Sequence, residues 1–166
     1  MKIVECNEEQ FKKDFMPLII DLWYGDKFNP NKQQHCDWLH RKIHATFVNF
    51  GVAVCAYDYD NKPVGYLWYQ HDTGINGVAF SGKAAHIIQI GLFEQYQRQG
   101  IGTILLNDVC RRVRKNGGES LYTDTYANDN LQPMAFYIKN KFIPIAYHIG
   151  LNGTNDYGHV YFYKKL

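Results

Sequence analysis

The chain has 166 residues, enough for one domain with a packed core and too few for two ordinary ones. Hydrophobic residues make up 46% of it and charged residues 20%, the balance of a folded globular chain and not of a disordered one. A formal net charge of +2 argues against the concentrated basic face that nucleic acid demands, and no apolar run reaches the ~20 residues of a membrane span.

Lys2 to Cys6 reads as a short strand, and Asn7 is placed to cap an amphipathic helix running to Tyr24. Pro17 inside that pattern predicts a kink or two separate pieces, because proline supplies no amide hydrogen. Gly25 to Pro30 is a turn-rich loop, and a second helix is predicted from about Asn31 to Phe47. From Gly51 the period changes: residues 52–57 and 63–69 are β-rich, with Asp60-Asn61-Lys62 as the hairpin turn. A glycine-rich loop covers roughly Thr73 to Gly82. His86 to Phe93 is apolar nearly throughout, as in a strand covered on both faces.

After Gly102 a helix is expected, with Ile104, Leu105, Val109 and Val113 as its apolar stripe and Asn116-Gly117-Gly118 as its end. Its basic run, Arg111 to Lys115, suits the negative end of a helix dipole better than a nucleic-acid stripe. Leu121 to Tyr126 is another strand, Asn130 to Lys141 a short helix with Pro133 near its start, and about Ile143 to Ile149 and His159 to Lys164 the last two strands. The expectation is one mixed α/β domain over residues 1–166, with a mostly antiparallel sheet of six to seven strands and about four helices. Cys6, Cys36, Cys55 and Cys110 form no CxxC pair, and Met1-Lys2-Ile3-Val4-Glu5 lacks an apolar signal region. Reduced thiols in a cytoplasm are therefore expected.

The chemistry concentrates at Gln97-Arg98-Gln99-Gly100-Ile101-Gly102, between a strand and a helix. The first amides of a helix lack internal partners, its dipole favours negative charge, and glycine lets the backbone approach a diphosphate. A nucleotide P-loop would require a lysine after the second glycine, where Thr103-Ile104 stands, and a dinucleotide fingerprint would require a third glycine, where Leu105 stands. Physics alone leaves either an anion site of unspecified ligand or glycines that merely turn the chain.

Gln97-x-x-Gly100-x-Gly102 resembles the Q/R-x-x-G-x-G/A signature of the GNAT N-acetyltransferase superfamily, and the order of elements is similar along the whole chain. A second block, Asn130 followed by Tyr137 within Phe136-Tyr137-Ile138-Lys139-Asn140-Lys141-Phe142, resembles the family pattern N-x-x-A-x-x-L-Y-x-K-x-G-F. It departs from that pattern at Pro133 and Lys141. The resemblance implies an acetyl-CoA-dependent N-acetyltransferase acting on a primary amine by direct attack in a ternary complex. Amides of Arg98, Gln99, Gly100, Ile101, Gly102 and Thr103 would hold the coenzyme A diphosphate, following Gln97. Backbone groups of Ile90 and Leu92 would bond the pantetheine arm, and Asn130 would lie beside it. A non-catalytic acyl-CoA sensor or interaction module on the same fold is the alternative.

An amine with a pKa near ~10.4 must lose a proton before attack, and the departing thiolate needs a proton or a hydrogen-bond donor. The family pattern makes Tyr137 the acid. His86 stands where some members carry a glutamate, eleven residues before Gln97, and is either the base or a structural histidine. Asp26 and Asp124 are candidate amine anchors, in a groove expected between the Gly25–Pro30 loop, the second helix and the Gly150–Gly158 loop. Cys36, His40 and His44 repeat every four residues, yet without a HExxH pattern or a fourth ligand no metal is expected. The protein is expected to work as a monomer or homodimer, without nucleic acid or membrane partners.

Overall fold

A computed structural model describes residues 1–71, 83–126, 131–148 and 158–166, the Asp26 side chain apart. Seven strands, β1 (Lys2–Cys6), β2 (Gly51–Tyr57), β3 (Pro63–His71), β4 (Ala84–Leu92), β5 (Ser120–Tyr126), β6 (Ile143–His148) and β7 (His159–Lys165), lie in the order β1-β2-β3-β4-β5-β7-β6. Four α-helices, α1 (Glu8–Tyr24), α2 (Gln33–Val48), α3 (Ile101–Lys115) and α4 (Gln132–Lys139), connect them. The β4–β5 ladder is parallel, while β1–β2, β2–β3, β5–β7 and β6–β7 are antiparallel. The mixed, mostly antiparallel sheet expected from the sequence is thus the one that forms. The residues group into two compact units, Met1–His71 with Ile88–Val109 and Asp72–Ile87 with Cys110–Leu166.

In the first unit, Asn7 Oδ1 accepts from the Gln10 amide at 2.8 Å and starts α1. The helix then runs unbroken to Tyr24, so the expected division at Pro17 does not occur. Pro17 and Lys13, whose carbonyl loses its donor, both lie on the exposed side, where water can replace the bond. Phe15, Leu18 and Ile19 on either side of the proline are buried and hold the helix down. Phe11 meets Tyr66 edge-on at 4.9 Å, and Leu39 and Ile43 of α2 join the same core with Trp68. The β2–β3 turn is built by Asp58, whose Oδ1 accepts from the amides of Asp60 and Lys62, while Asn61 takes a φ of 59°.

In the second unit, Gly117 (φ 81°) closes α3: Gly118 N–H donates to the Val113 carbonyl at 2.8 Å and Gly117 N–H to Arg114 at 3.0 Å. The stripe of α3 is corrected at one position. Ile104 is 44% exposed, and the buried face is Leu105, Leu106, Val109, Cys110 and Val113. Pro133 sits in the first turn of α4, and Tyr137 packs on Phe142 and Phe162 at 5.3 and 5.6 Å. The glycine-rich segment expected at 73–82 and the loop at 150–157 lie outside the described residues.

Candidate active site

The first unit carries the end of β4 and the turn that follows. The parallel ladder covers only Ala84–His86 against Ser120–Tyr122. Among the described residues, no strand pairs with that edge of β4 from Ile88 to Leu92. Ile90 and Leu92 lie in this stretch and are half-buried, so β4 is less covered than its apolar sequence predicts. Gly65 on β3 lets this end of β4 come close, because a side chain there would collide with the Gly91 carbonyl and Leu92.

The turn is shaped by its own side chains. Gln97 Nε2 donates to the Leu92 carbonyl at 3.0 Å, and Gln99 Nε2 to the Gln95 carbonyl at 2.8 Å. Arg98 (φ 59°) and Gly100 (φ 81°) both adopt left-handed backbone, which turns the chain sharply into α3. The first regular helical bond joins Ile104 N–H to the Gly100 carbonyl at 3.1 Å. The amides of Ile101, Gly102 and Thr103 therefore have no carbonyl four residues back in the helix. Gln97, Arg98, Gln99 and Gly100 are exposed and Ile101 is buried, which leaves the turn open to a ligand and the helix anchored beneath it. An anion at such a start meets both free donors and the positive helix end.

The second unit gathers the titratable residues. Tyr137 is buried, and its hydroxyl lies 3.4 Å from Thr123 Oγ1, which donates to the Ile87 carbonyl at 3.1 Å. Burial pushes the Tyr137 phenol up to about 12, the Thr123 contact opposing and the Asp124 charge adding to the shift. His86 stacks on Tyr122 (4.8 Å, 7°) and points Nε2 at Asp124 Oδ1, 3.4 Å away. Asp124 Oδ2 also holds His159 Nδ1 at 2.7 Å. Burial pushes the Asp124 carboxyl up, but the two imidazoles outweigh it and keep it below the ordinary carboxylate value.

The sequence reading places His159 and Thr123 on strands and gives neither a role in the site. Asp124 faces Tyr161 and Tyr126 faces His159 in the β5–β7 register, so Asp124 and His159 are diagonal neighbours across 35 residues of chain. Only the strand pairing reveals this. Asp124, expected as an amine anchor, has its carboxylate occupied by two histidines. Asn130 lies outside the described residues, as does the side chain of Asp26. On α2, Cys36 faces the Pro30 carbonyl and His44 pairs with Glu8. Among the described residues no group of three or more His, Cys, Asp or Glu is arranged to hold a metal. No helix among them is long and apolar enough to cross a membrane.

Asp124→Asn is expected to lower stability at neutral pH by about 1–2 kcal/mol, since it removes a half-buried charge from two partners. A carboxyl lowered on folding contributes fully above its unfolded pKa near ~3.9, and that contribution is lost as pH falls through the lower folded value. Thermal melts of both proteins should therefore differ most at neutral pH and converge in strong acid. A gap that stays constant across that range would remove the charge from the explanation.

The element order and the glycine turn after β4 define a mixed α/β domain with an anion-ready helix start. A family model described as the Acetyltransferase (GNAT) family matches residues 13–142, and the chain belongs to that family. The fold is similar to an aminoglycoside 6'-acetyltransferase type Ii, at 21% identity and a TM-score of 0.75, over 99% of this chain and 97% of that one. An aminoglycoside 6'-N-acetyltransferase complexed with coenzyme A matches at 17% identity and TM-score 0.74, over 99% and 97%. A Bacillus anthracis str. Ames protein provisionally named a streptothricin acetyltransferase, in complex with acetyl coenzyme A, matches at 20% identity and TM-score 0.60, over 70% and 63%. No curated protein matches the chain.

Proposed function

We propose that the protein transfers the acetyl group of acetyl-CoA to a primary amine by direct attack within a ternary complex. The observation that carries this reading is the Gln97–Thr103 turn, with its left-handed Arg98 and Gly100 leading into the open amides of α3. Those amides receive the diphosphate, and Arg98 adds a cation. Backbone groups of Ile90 and Leu92 receive the pantetheine arm in the manner of an added strand. Gln97 contributes by gripping the Leu92 carbonyl and so holding the turn to the strand. Asn130 keeps the place beside the arm that the family motif implies.

In this reading His86 takes the ammonium proton, and the Asp124 carboxylate stabilises the imidazolium that results. The free amine attacks the thioester carbon and forms the C–N bond; the carbonyl re-forms as the C–S bond breaks and the coenzyme A thiolate leaves, and the nitrogen gives up its extra proton to solvent. Tyr137 remains protonated at neutral pH, being pushed up to about 12. It is a weaker acid than an ordinary thiol near ~8.5, so complete proton transfer from it to the thiolate is uphill. Its hydroxyl acts as a hydrogen-bond donor to the developing negative sulfur, and the thiol proton is supplied finally by solvent.

The test is release of free thiol from acetyl-CoA with a panel of primary amines, aminoglycosides included because the similar structures carry that name. Thiol release that depends on one amine, with the acetyl group recovered on its nitrogen, supports the reading. Tight acetyl-CoA binding without turnover across the panel would turn the assignment to the non-catalytic sensor. Absence of binding would overturn both.

A further inference from the structure

A second group of reactive side chains lies wholly within the first unit, between β1, β2 and α1. Cys6 and Cys55 project from the same face of the β1–β2 ladder, where Cys6 faces Ala53 and Val4 faces Cys55, so the thiols are diagonal neighbours. Cys55 Sγ faces the Ala53 carbonyl at 3.9 Å, on the side of the ladder that Cys6 shares. Cys6 Sγ lies 3.3 Å from the Tyr57 hydroxyl, which donates to Asp14 Oδ2 at 2.6 Å. Cys6, Tyr57 and Asp14 line a cavity of about 480 Å³ together with Lys2 and Lys13.

The two sulfurs are not equivalent. Cys55 is fully buried and Cys6 is 7% exposed in the cavity wall. The neighbouring Cys55 thiol lowers the Cys6 thiol to about 7, against the opposing effects of burial and of the Asp14 and Glu5 charges. Cys55 moves the opposite way, because its partner and its burial both favour the neutral thiol, and burial also raises Cys110. Cys6 borders the cavity and Cys55 lies behind it, an outer thiol against an inner one. The arrangement is that of an attacking and a resolving thiol.

We infer that Cys6 and Cys55 form a peroxide-reactive pair in which Cys6 is oxidised first and Cys55 then closes a reversible disulfide between β1 and β2. The Cys6 thiolate attacks one oxygen of hydrogen peroxide; the S–O bond forms, the O–O bond breaks and hydroxide leaves, taking a proton to become water. The Cys55 sulfur then attacks the sulfenic sulfur; the S–S bond forms, the S–O bond breaks and a second water leaves with the Cys55 proton. Two electrons pass from the thiols to the peroxide. Diagonal pairs sit wider than the ~3.5–4.5 Å between Cβ atoms that a disulfide prefers. β1 must therefore draw inward, and as a five-residue edge strand it has few bonds to disturb. The strain makes the bond easy to reduce, hence reversible.

The experiment exposes the intact protein to hydrogen peroxide, alkylates the remaining thiols after denaturation and maps the peptides by mass spectrometry. A reductant-sensitive cross-link between the Cys6 and Cys55 peptides is expected, with Cys110 still alkylated. In Cys55→Ser, a dimedone adduct should appear on Cys6 at least ~10-fold faster than on Cys110. The wild-type map needs no variant, so it decides the cross-link even where a substitution impairs folding. Cys6 and Cys55 both recovered as free thiols after Cys36 has oxidised would overturn the proposal. So would a Cys6 adduct in the wild type that never resolves onto Cys55.

Discussion

Tyr137→Phe is expected to lower kcat about 10²-fold while leaving the fold and the KM for acetyl-CoA nearly unchanged. The phenylalanine ring keeps the contacts with Phe142 and Phe162, and only the 3.4 Å contact to Thr123 is lost. Thr123 retains its bond to the Ile87 carbonyl, so no buried donor is orphaned. The check is thiol release at saturating acetyl-CoA beside a thermal melt. Turnover equal to the wild type would remove Tyr137 from the chemistry and leave it as a packed core residue. Because the hydroxyl ionises only at about 12, the wild-type rate should show no loss near neutrality that traces to this residue.

Gly65→Val is expected to damage stability and the donor site together. A Cβ at Gly65 would stand 3.0 Å from Leu92 Cα and closer still to the Leu92 side chain and the Gly91 carbonyl oxygen. Backbone cannot yield there as a flexible side chain would, and Phe93 N–H is tied to the Val64 carbonyl at 3.1 Å beside it. Overpacking of this kind costs about 1–3 kcal/mol. In a chain of this size each kcal/mol lowers Tm by roughly 2–4 °C. The displaced segment carries Leu92 and leads into the Gln97 turn, so the KM for acetyl-CoA should rise as Tm falls. A melt that falls with KM unchanged would show that the end of β4 does not position the cofactor. An unchanged melt would show that β3 and β4 accommodate the three added carbons.

These two positions also mark how far the sequence could be read. Gln97, Gly100 and Gly102 were visible because a glycine turn between strand and helix depends on residues adjacent in the chain. The helix starts at Asn7 and Pro133 and the left-handed end at Gly117 were visible for the same local reason. Of the kink or division expected at Pro17, the division does not occur, because exposure of Lys13 and Pro17 and burial of Phe15, Leu18 and Ile19 are properties of packing. Ile104 was assigned to the buried stripe on hydrophobicity, while burial selected Leu106 and Cys110 instead.

The sequence by itself determined the family, the order of elements and the turn expected to take the donor, because short-range backbone chemistry writes these into neighbouring residues. It placed His86 and Tyr137 without their surroundings. Only the tertiary structure decided that Asp124 answers to His86 and His159 at once, and that Thr123 faces the Tyr137 hydroxyl. It alone set Cys6 beside Cys55 and Tyr57, and the end of β4 against Gly65. Strand register makes those neighbours, and register joins residues too far apart in the chain for spacing to disclose.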